Sequence, residues 1–155
     1  MEIREAQEKD IPQIMQIKNW GTEKDWNKEV LERINKTKER KTAYLVAEEN
    51  GKILGQIFLK FYGIKTAPNY PSMEDAYVKE EFRGQGIGTK LIEESEKISR
   101  KNGFNKIGLA VNPTLNPKAK SLYERLGYKE VGDPTYLDGV YNGTEDWVID
   151  MVKEL

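Results

Sequence analysis

The segment Arg83-Gly84-Gln85-Gly86-Ile87-Gly88-Thr89 sets three glycines at alternate positions, between a β-rich run and an amphipathic helical pattern. The chemistry such a segment can do is to hold an anion. N–H groups in the first turn of a helix lack intrahelical acceptors, and the macrodipole adds roughly half a positive charge there. Glycine lets the backbone come close to an oxygen and permits φ > 0, so successive N–H groups can converge on one ligand. Arg83 adds a planar fork of donors suited to phosphate. A generic tight turn is the alternative, but the position between strand and helix favours a diphosphate.

Three phosphate motifs can be compared with this loop. A Walker A loop places Lys and then Ser or Thr after its last glycine, whereas the order here is Gly88-Thr89-Lys90. A dinucleotide-binding fingerprint requires glycine where Thr89 stands, and a kinase-type loop fails at the same position. The chain has no cysteine and no histidine. Thiolate zinc sites, cysteine nucleophiles, Ser-His triads and histidine bases are therefore excluded. Acid–base work must fall to Asp, Glu, Lys, Tyr, backbone or water. Carboxylates show no ligand-like clustering beyond Glu74-Asp75, so no metal is expected.

The elements that must position these residues can be read from the hydrophobic pattern. Residues 2–6 form a short first strand. Asp10 then caps a helix with Pro12 in its first turn, and Thr22 with Asp25 precede a second helix bearing Trp26, Val30, Leu31 and Ile34. β-rich runs on either side of Asn50-Gly51 predict a hairpin. Residues 65–72 read as a turn-rich connection, and residues 73–78 as a strand leading into the glycine loop. A helix from Ile87 stops at Asn102-Gly103. Residues 106–111 form another strand. Pro117 opens a helix whose Ala119, Leu122, Tyr123 and Leu126 lie on one face. Two closing strands flank a loop rich in Gly, Tyr and Asp. The order predicts one α/β domain over residues 1–155, with a mixed sheet covered by helices on both faces.

Composition narrows the partners. With 155 residues there is room for one sizeable core. The 25 basic and 26 acidic side chains leave a net charge of −1, which gives no nucleic-acid footprint. No apolar run approaches the ~20 residues of a membrane span, and the polar, acidic N-terminus is unlike a targeting peptide. A cytoplasmic protein is expected.

Two motifs together resemble the GNAT superfamily of acetyl-CoA-dependent N-acetyltransferases. Arg83, Gly86 and Gly88 fill its Q/R-x-x-G-x-G/A pyrophosphate motif, and residues 116–128, NPKAKSLYERLGY, match its N-x-x-A-x-x-L-Y-x-x-x-G-Y/F pattern. The element order along the whole chain is similar as well. The resemblance implies a mostly antiparallel sheet of about seven strands. It implies that backbone N–H groups of residues 83–89 hold the pyrophosphate of coenzyme A. The pantetheine arm would run along Ala76 and Val78, where two parallel strands splay, with Asn116 on its other side. Homodimers are common among such enzymes, which makes a homodimer an expectation.

For a thioester acylating an amine directly, the protein must supply placement, a proton for the departing thiolate and a neutral amine. Tyr123 matches the tyrosine to which the family motif commonly assigns the acid role, and a phenol stays protonated at neutral pH. Glu74 is the expected base, because residues 74–78, EDAYV, resemble the polyamine and diamine branch. Strand alternation should send Asp75 to the opposite face. Trp20, Trp26, Tyr62, Tyr136 and Tyr141 could line the acceptor slot, and Asp133, Asp138, Glu145 and Asp146 make the late segment suited to an amine. The expected acceptor is a small primary amine: a polyamine, an amino acid or an aminoglycoside-like amine. Acetylation of a protein N-terminus or lysine, and acyl-CoA sensing without turnover, are the alternatives.

Overall fold

The computed structural model describes residues 1–62 and 69–155; residues 65–68 of the predicted connection at 65–72 lie outside them. Eight strands are present among the described residues: β1 (Glu2–Glu5), β2 (Thr42–Glu49), β3 (Lys52–Lys60), β4 (Ser72–Val78), β5 (Lys106–Val111), β6 (Lys129–Glu130), β7 (Tyr136–Tyr141) and β8 (Thr144–Glu154). Four α-helices accompany them in the same residues: α1 (Ile11–Ile14), α2 (Trp26–Lys38), α3 (Ile87–Lys101) and α4 (Pro117–Arg125). The sheet order is β1-β2-β3-β4-β5-β8-β6, with β7 paired to β8 off that path. Neighbours run antiparallel except for the parallel pair β4–β5.

β2 explains why its sequence reads as a continuous apolar run rather than an alternation. Ala43, Leu45 and Ala47 join Ile87, Leu91 and Ile92 of α3 in one core cluster. Tyr44 and Val46 point the other way and join Val30 and Ile34 of α2. A strand covered by helices on both faces has no solvent face to make polar. On α3, Ser95 and Ser99 are fully buried, and their hydroxyls donate to the carbonyls of Leu91 and Ser95 at 2.9 Å. These small side chains keep the helix close to the sheet.

Three sequence expectations change. Asp10 does not cap α1; its carboxylate is buried against Arg4, at 2.8 and 2.9 Å, and accepts from the Gln7 amide at 2.7 Å. The cap of α2 is Asp25 alone, accepting from Lys28 N at 3.2 Å, while Thr22 takes no part. The late glycine-rich loop contains β7, the eighth strand. Its turn, Asn142-Gly143, has φ of 52° and 75°, much like the Asn50-Gly51 hairpin at 52° and 79°. Both have the two positive φ values that Asn-Gly favours in a two-residue hairpin. A register shift between Leu137 and Gly139 breaks the alternation that would have marked β7 as a strand.

The feature that shapes the site is where β4 leaves β5. The two pair at Ser72–Gly108 and Met73–Leu109 and not beyond. Asp75 adopts φ 50°, and the β3–β4 register shifts between Gln56 and Phe58, so Asp75 and Ala76 together oppose Ile57. This bulge bends β4 away from its parallel neighbour.

Candidate active site

The wedge between the diverging strands is filled from one side by a groove of about 840 Å³. Ala76 and Val78 form its floor; Arg83, Gly84, Gly86, Ile87, Gly88 and Thr89 close one end; Asn116 and Tyr123 of the α4 segment form the far wall. Gln85 belongs to the same loop but does not line the groove. Gly84 and Gly86 have φ of 78° and 82°, with open space where a Cβ would stand, so the backbone conformation alone calls for glycine. Gly88 is different: a Cβ there would sit 3.7 Å from Val78 Cγ2, an ordinary contact. The first intrahelical bond of α3 runs from Lys90 N to Gly86 O, which leaves the N–H groups of residues 87–89 without intrahelical acceptors.

Arg83 is more constrained than a free phosphate clamp. Its own N–H donates to Glu80 O at 3.2 Å, its Nε donates to Val78 O at 2.9 Å, and the guanidinium lies 4.9 Å from the Tyr77 ring. The side chain thereby ties the loop to the end of β4. Asn116 precedes α4 in the cap position, yet its side chain makes no capping bond and is left lining the groove.

Tyr123 lies where three spaces meet. It lines the 840 Å³ groove, a 50 Å³ gap between the splayed strands, and a 520 Å³ cavity on the other side. Its ring packs edge-on against Tyr128 at 6.2 Å, and burial raises its phenol above the usual tyrosine value.

The 520 Å³ cavity gathers residues from distant segments, among them Trp26, Arg33, Glu74, Asp75, Asp138 and Tyr141. Glu74 and Asp75 both line it, contrary to the expected alternation, because the bulge at Asp75 resets the faces. Glu74 pairs with Lys60 at 2.9 Å. Asp75 pairs with Arg33 at 2.6 Å and Lys18 at 3.2 Å. Burial alone would raise the Asp75 carboxyl, but Lys18 and Arg33 outweigh it and hold the group below the usual carboxylate value. Arg33 in turn lies 4.7 Å from the Phe58 ring. Gln56, fully buried, donates to Asp75 O at 3.2 Å and accepts from Tyr44.

A smaller cavity of 270 Å³ adjoins the first, and the two share Trp26, Asp75, Asp138, Tyr141 and Asp146. Among the described residues, neither Asp138 nor Asp146 has a cation at ion-pair distance. Asp138 is raised by burial and by Asp146, and Tyr141, 3.3 Å away, is pushed up to about 12 by burial and Asp138.

Of the aromatic residues expected around the acceptor, Trp20, Trp26 and Tyr141 line these cavities. Tyr62 is 78% exposed just past the end of β3, and Tyr136 donates to Asp150 at 2.6 Å. Glu145 lines the smaller cavity, whereas Asp133 lies outside both. Sequence reasoning missed Asn112. It is buried, accepts from the amides of Thr114 and Leu115 at 3.1 and 3.0 Å, and donates to Asp146 at 2.9 Å. An Asn before Pro at the end of a strand is a turn signal that could have found it. Lys18 and Arg33 carried no such signal.

Among the described residues no group of acidic side chains could hold a metal ion, and no helix is long and apolar enough to cross a membrane.

Comparison with known proteins supplies the context. An N-acetyltransferase of Chlorobaculum tepidum, itself uncharacterised, is 33% identical over 88 residues, which is 57% of this chain and 50% of that protein. The thialysine N-epsilon-acetyltransferase of Sus scrofa is 42% identical over 59 residues, 38% of this chain and 34% of that enzyme. The matched stretch thus spans half or less of these relatives. An N-acetyltransferase of Thermoplasma acidophilum solved in complex with coenzyme A shares the fold, with a TM-score of 0.76 at 20% identity, over 99% of this chain and 98% of that one. Residues 9–128 match the model of the acetyltransferase (GNAT) family, and the protein belongs to that family.

Proposed function

We propose that the protein transfers the acetyl group of acetyl-CoA directly to a small primary amine within a ternary complex. The observation that carries this reading is the position of Tyr123, between the glycine-lined groove and the charged cavity. The groove fits a coenzyme A. Two left-handed glycines and three first-turn N–H groups suit a pyrophosphate, and the edge of β4 at Ala76 and Val78, beyond its last pair with β5, suits an amide-bearing arm. Bound there, acetyl-CoA supplies an activated acyl carbon.

The chain's own residues then do four things. The loop of residues 83–89 anchors the donor, and Ala76, Val78 and Asn116 align its arm. Glu74, directly or through a water, takes the proton of an acceptor ammonium, leaving a free lone pair. The amine nitrogen bonds to the acyl carbon, the carbon–sulfur bond breaks, Tyr123 gives its proton to the departing thiolate, and the acylated nitrogen loses its second proton to water to leave the neutral amide. Raised by burial, Tyr123 is protonated throughout the neutral range and recovers its proton from solvent.

An amine acceptor is supported by Asp138 and Asp146, which pair with no cation among the described residues. Thialysine, the acceptor named for one relative, also carries a primary amine.

Incubation with acetyl-CoA and a panel of amines, with released CoA followed by a thiol reagent, tests this reading. The protein contributes no thiol background because it has no cysteine. Acetyl-CoA raising Tm with no CoA release for any amine would overturn transfer and leave an acyl-CoA sensor.

A further inference from the structure

The cavities of the acceptor side are walled by two segments far apart in the chain. Asn19 and Trp20, in the connection between α1 and α2, form one wall of the 270 Å³ cavity; Asn142 and Thr144, at the β7–β8 turn, form the other. Glu23 does not line that cavity, yet it joins the walls: its Oε1 accepts from Asn142 N at 2.6 Å, across 119 positions of sequence. Its Oε2 accepts from Thr22 N at 3.1 Å, which fixes the carboxylate in place.

Gly21 independently marks the same clasp. A Cβ there would collide with Glu23 Oε2 and lie 2.7 Å from Asn142 Oδ1, and its φ is 79°. The Gly21 amide donates to Asn19 Oδ1 at 3.0 Å, so the bend that brings Glu23 to the turn continues directly into the cavity wall. The carboxyl of Glu23 is held below the usual glutamate value by its own amide, with those of Asn142, Gly143 and Thr22 adding to the effect. The clasp therefore carries a full negative charge at neutral pH.

We infer that Glu23 is a positioning residue for acceptor selection: by clasping the β7–β8 turn it shuts the outer end of the acceptor cavity, admitting a small amine and excluding a polypeptide. The inference rests on the proposed acetyl transfer only for its kinetic readout. A peptide bearing the reactive amine needs a channel between the two walls for its flanking residues, and the clasp joins those two walls. A short diamine needs none, because both its ends fit within the two joined cavities.

The test compares 1,4-diaminobutane with a lysine-bearing nonapeptide as acceptors, for wild type, Glu23→Ala, Glu23→Gln and Gly21→Ala. Both alanine variants are expected to raise the peptide-to-diamine ratio of kcat/KM about tenfold, with KM for acetyl-CoA unchanged. Glu23→Gln, which keeps an acceptor oxygen, should recover part of the wild-type ratio. An unchanged ratio in Glu23→Ala, with Tm unaltered, overturns the inference. A general loss of activity toward both acceptors does so as well, since it means a structural role.

A second readout does not need turnover. In a Trp147→Phe background the remaining tryptophans, Trp20 and Trp26, are 7% and 9% exposed. Opening the clasp should increase their quenching by acrylamide about twofold. If wild type releases no CoA with any amine, the proposed transfer fails. The clasp is then judged by quenching, and equal quenching in wild type and Glu23→Ala overturns it.

Discussion

The proposed donor groove and the proposed acceptor cavity meet at Tyr123, but they are built in opposite ways. The groove is made largely of backbone: a bulged strand edge, two left-handed glycines and the N-terminus of α3. The cavity is made of side chains held by other side chains, with Lys18, Arg33 and Asp75 in one network and the separate pairs Tyr141–Asp138 and Asn112–Asp146 beside it. A backbone site recognises what every donor shares. A side-chain site can be retuned one residue at a time without disturbing the donor. The comparison predicts that substitutions should separate cleanly into donor effects, acceptor effects and the junction between them.

The largest effect belongs to the junction. Tyr123→Phe should lower kcat by about 10²–10³-fold, with acetyl-CoA affinity and Tm unchanged, as steady-state kinetics and titration calorimetry would show. A parallel loss of affinity would reduce Tyr123 to a packing residue. Next, Asp75→Asn leaves Arg33, whose side chain is 11% exposed, without its carboxylate. Thermal unfolding at neutral pH should show a loss of about 2–3 kcal/mol. Because the folded Asp75 carboxyl is depressed, the gap between wild type and variant should be full above 3.8, its ordinary value. It should close as pH falls through the lower folded value.

On the donor side, Gly86→Ala forces a side chain into φ 82° and should weaken acetyl-CoA binding about tenfold, while Gly88→Ala should be nearly silent. Equal effects at the two glycines would mean that space, not conformation, governs the loop. A smaller loss than at Gly86 is expected for Arg83→Ala. Part of its guanidinium is already committed to Val78 O and Tyr77, so acetyl-CoA affinity should fall only about threefold to fivefold.

The same contrast explains what could be read from the sequence. Residues 83–89 and 116–128 are contiguous, so their glycines, Asn116 and Tyr123 announce their places by local spacing. The hairpin at Asn50-Gly51 is just as local. The acceptor side depends on residues such as Lys18, Arg33, Asp75 and Asp138, which only the finished sheet brings together. Glu74 and Asp75 show the limit most clearly. Alternation is a sound rule for a regular strand, yet the positive φ at Asp75 is stabilised by Gln56 and Arg33, far away in sequence. Nothing within residues 73–78 signals that.

The short parallel pairing of β4 with β5 has a mechanical consequence. Strands β1 to β4 form one ribbon and β5 to β8 another, stitched through backbone among the described residues only over 71–73 and 108–109. A ligand laid along the free edge of β4 and against α4 acts as a splint across that stitch. Its binding should slow amide exchange in both ribbons, including positions far from any contact with it. The substrate of such a protein is also, for the length of its stay, part of the sheet's own reinforcement.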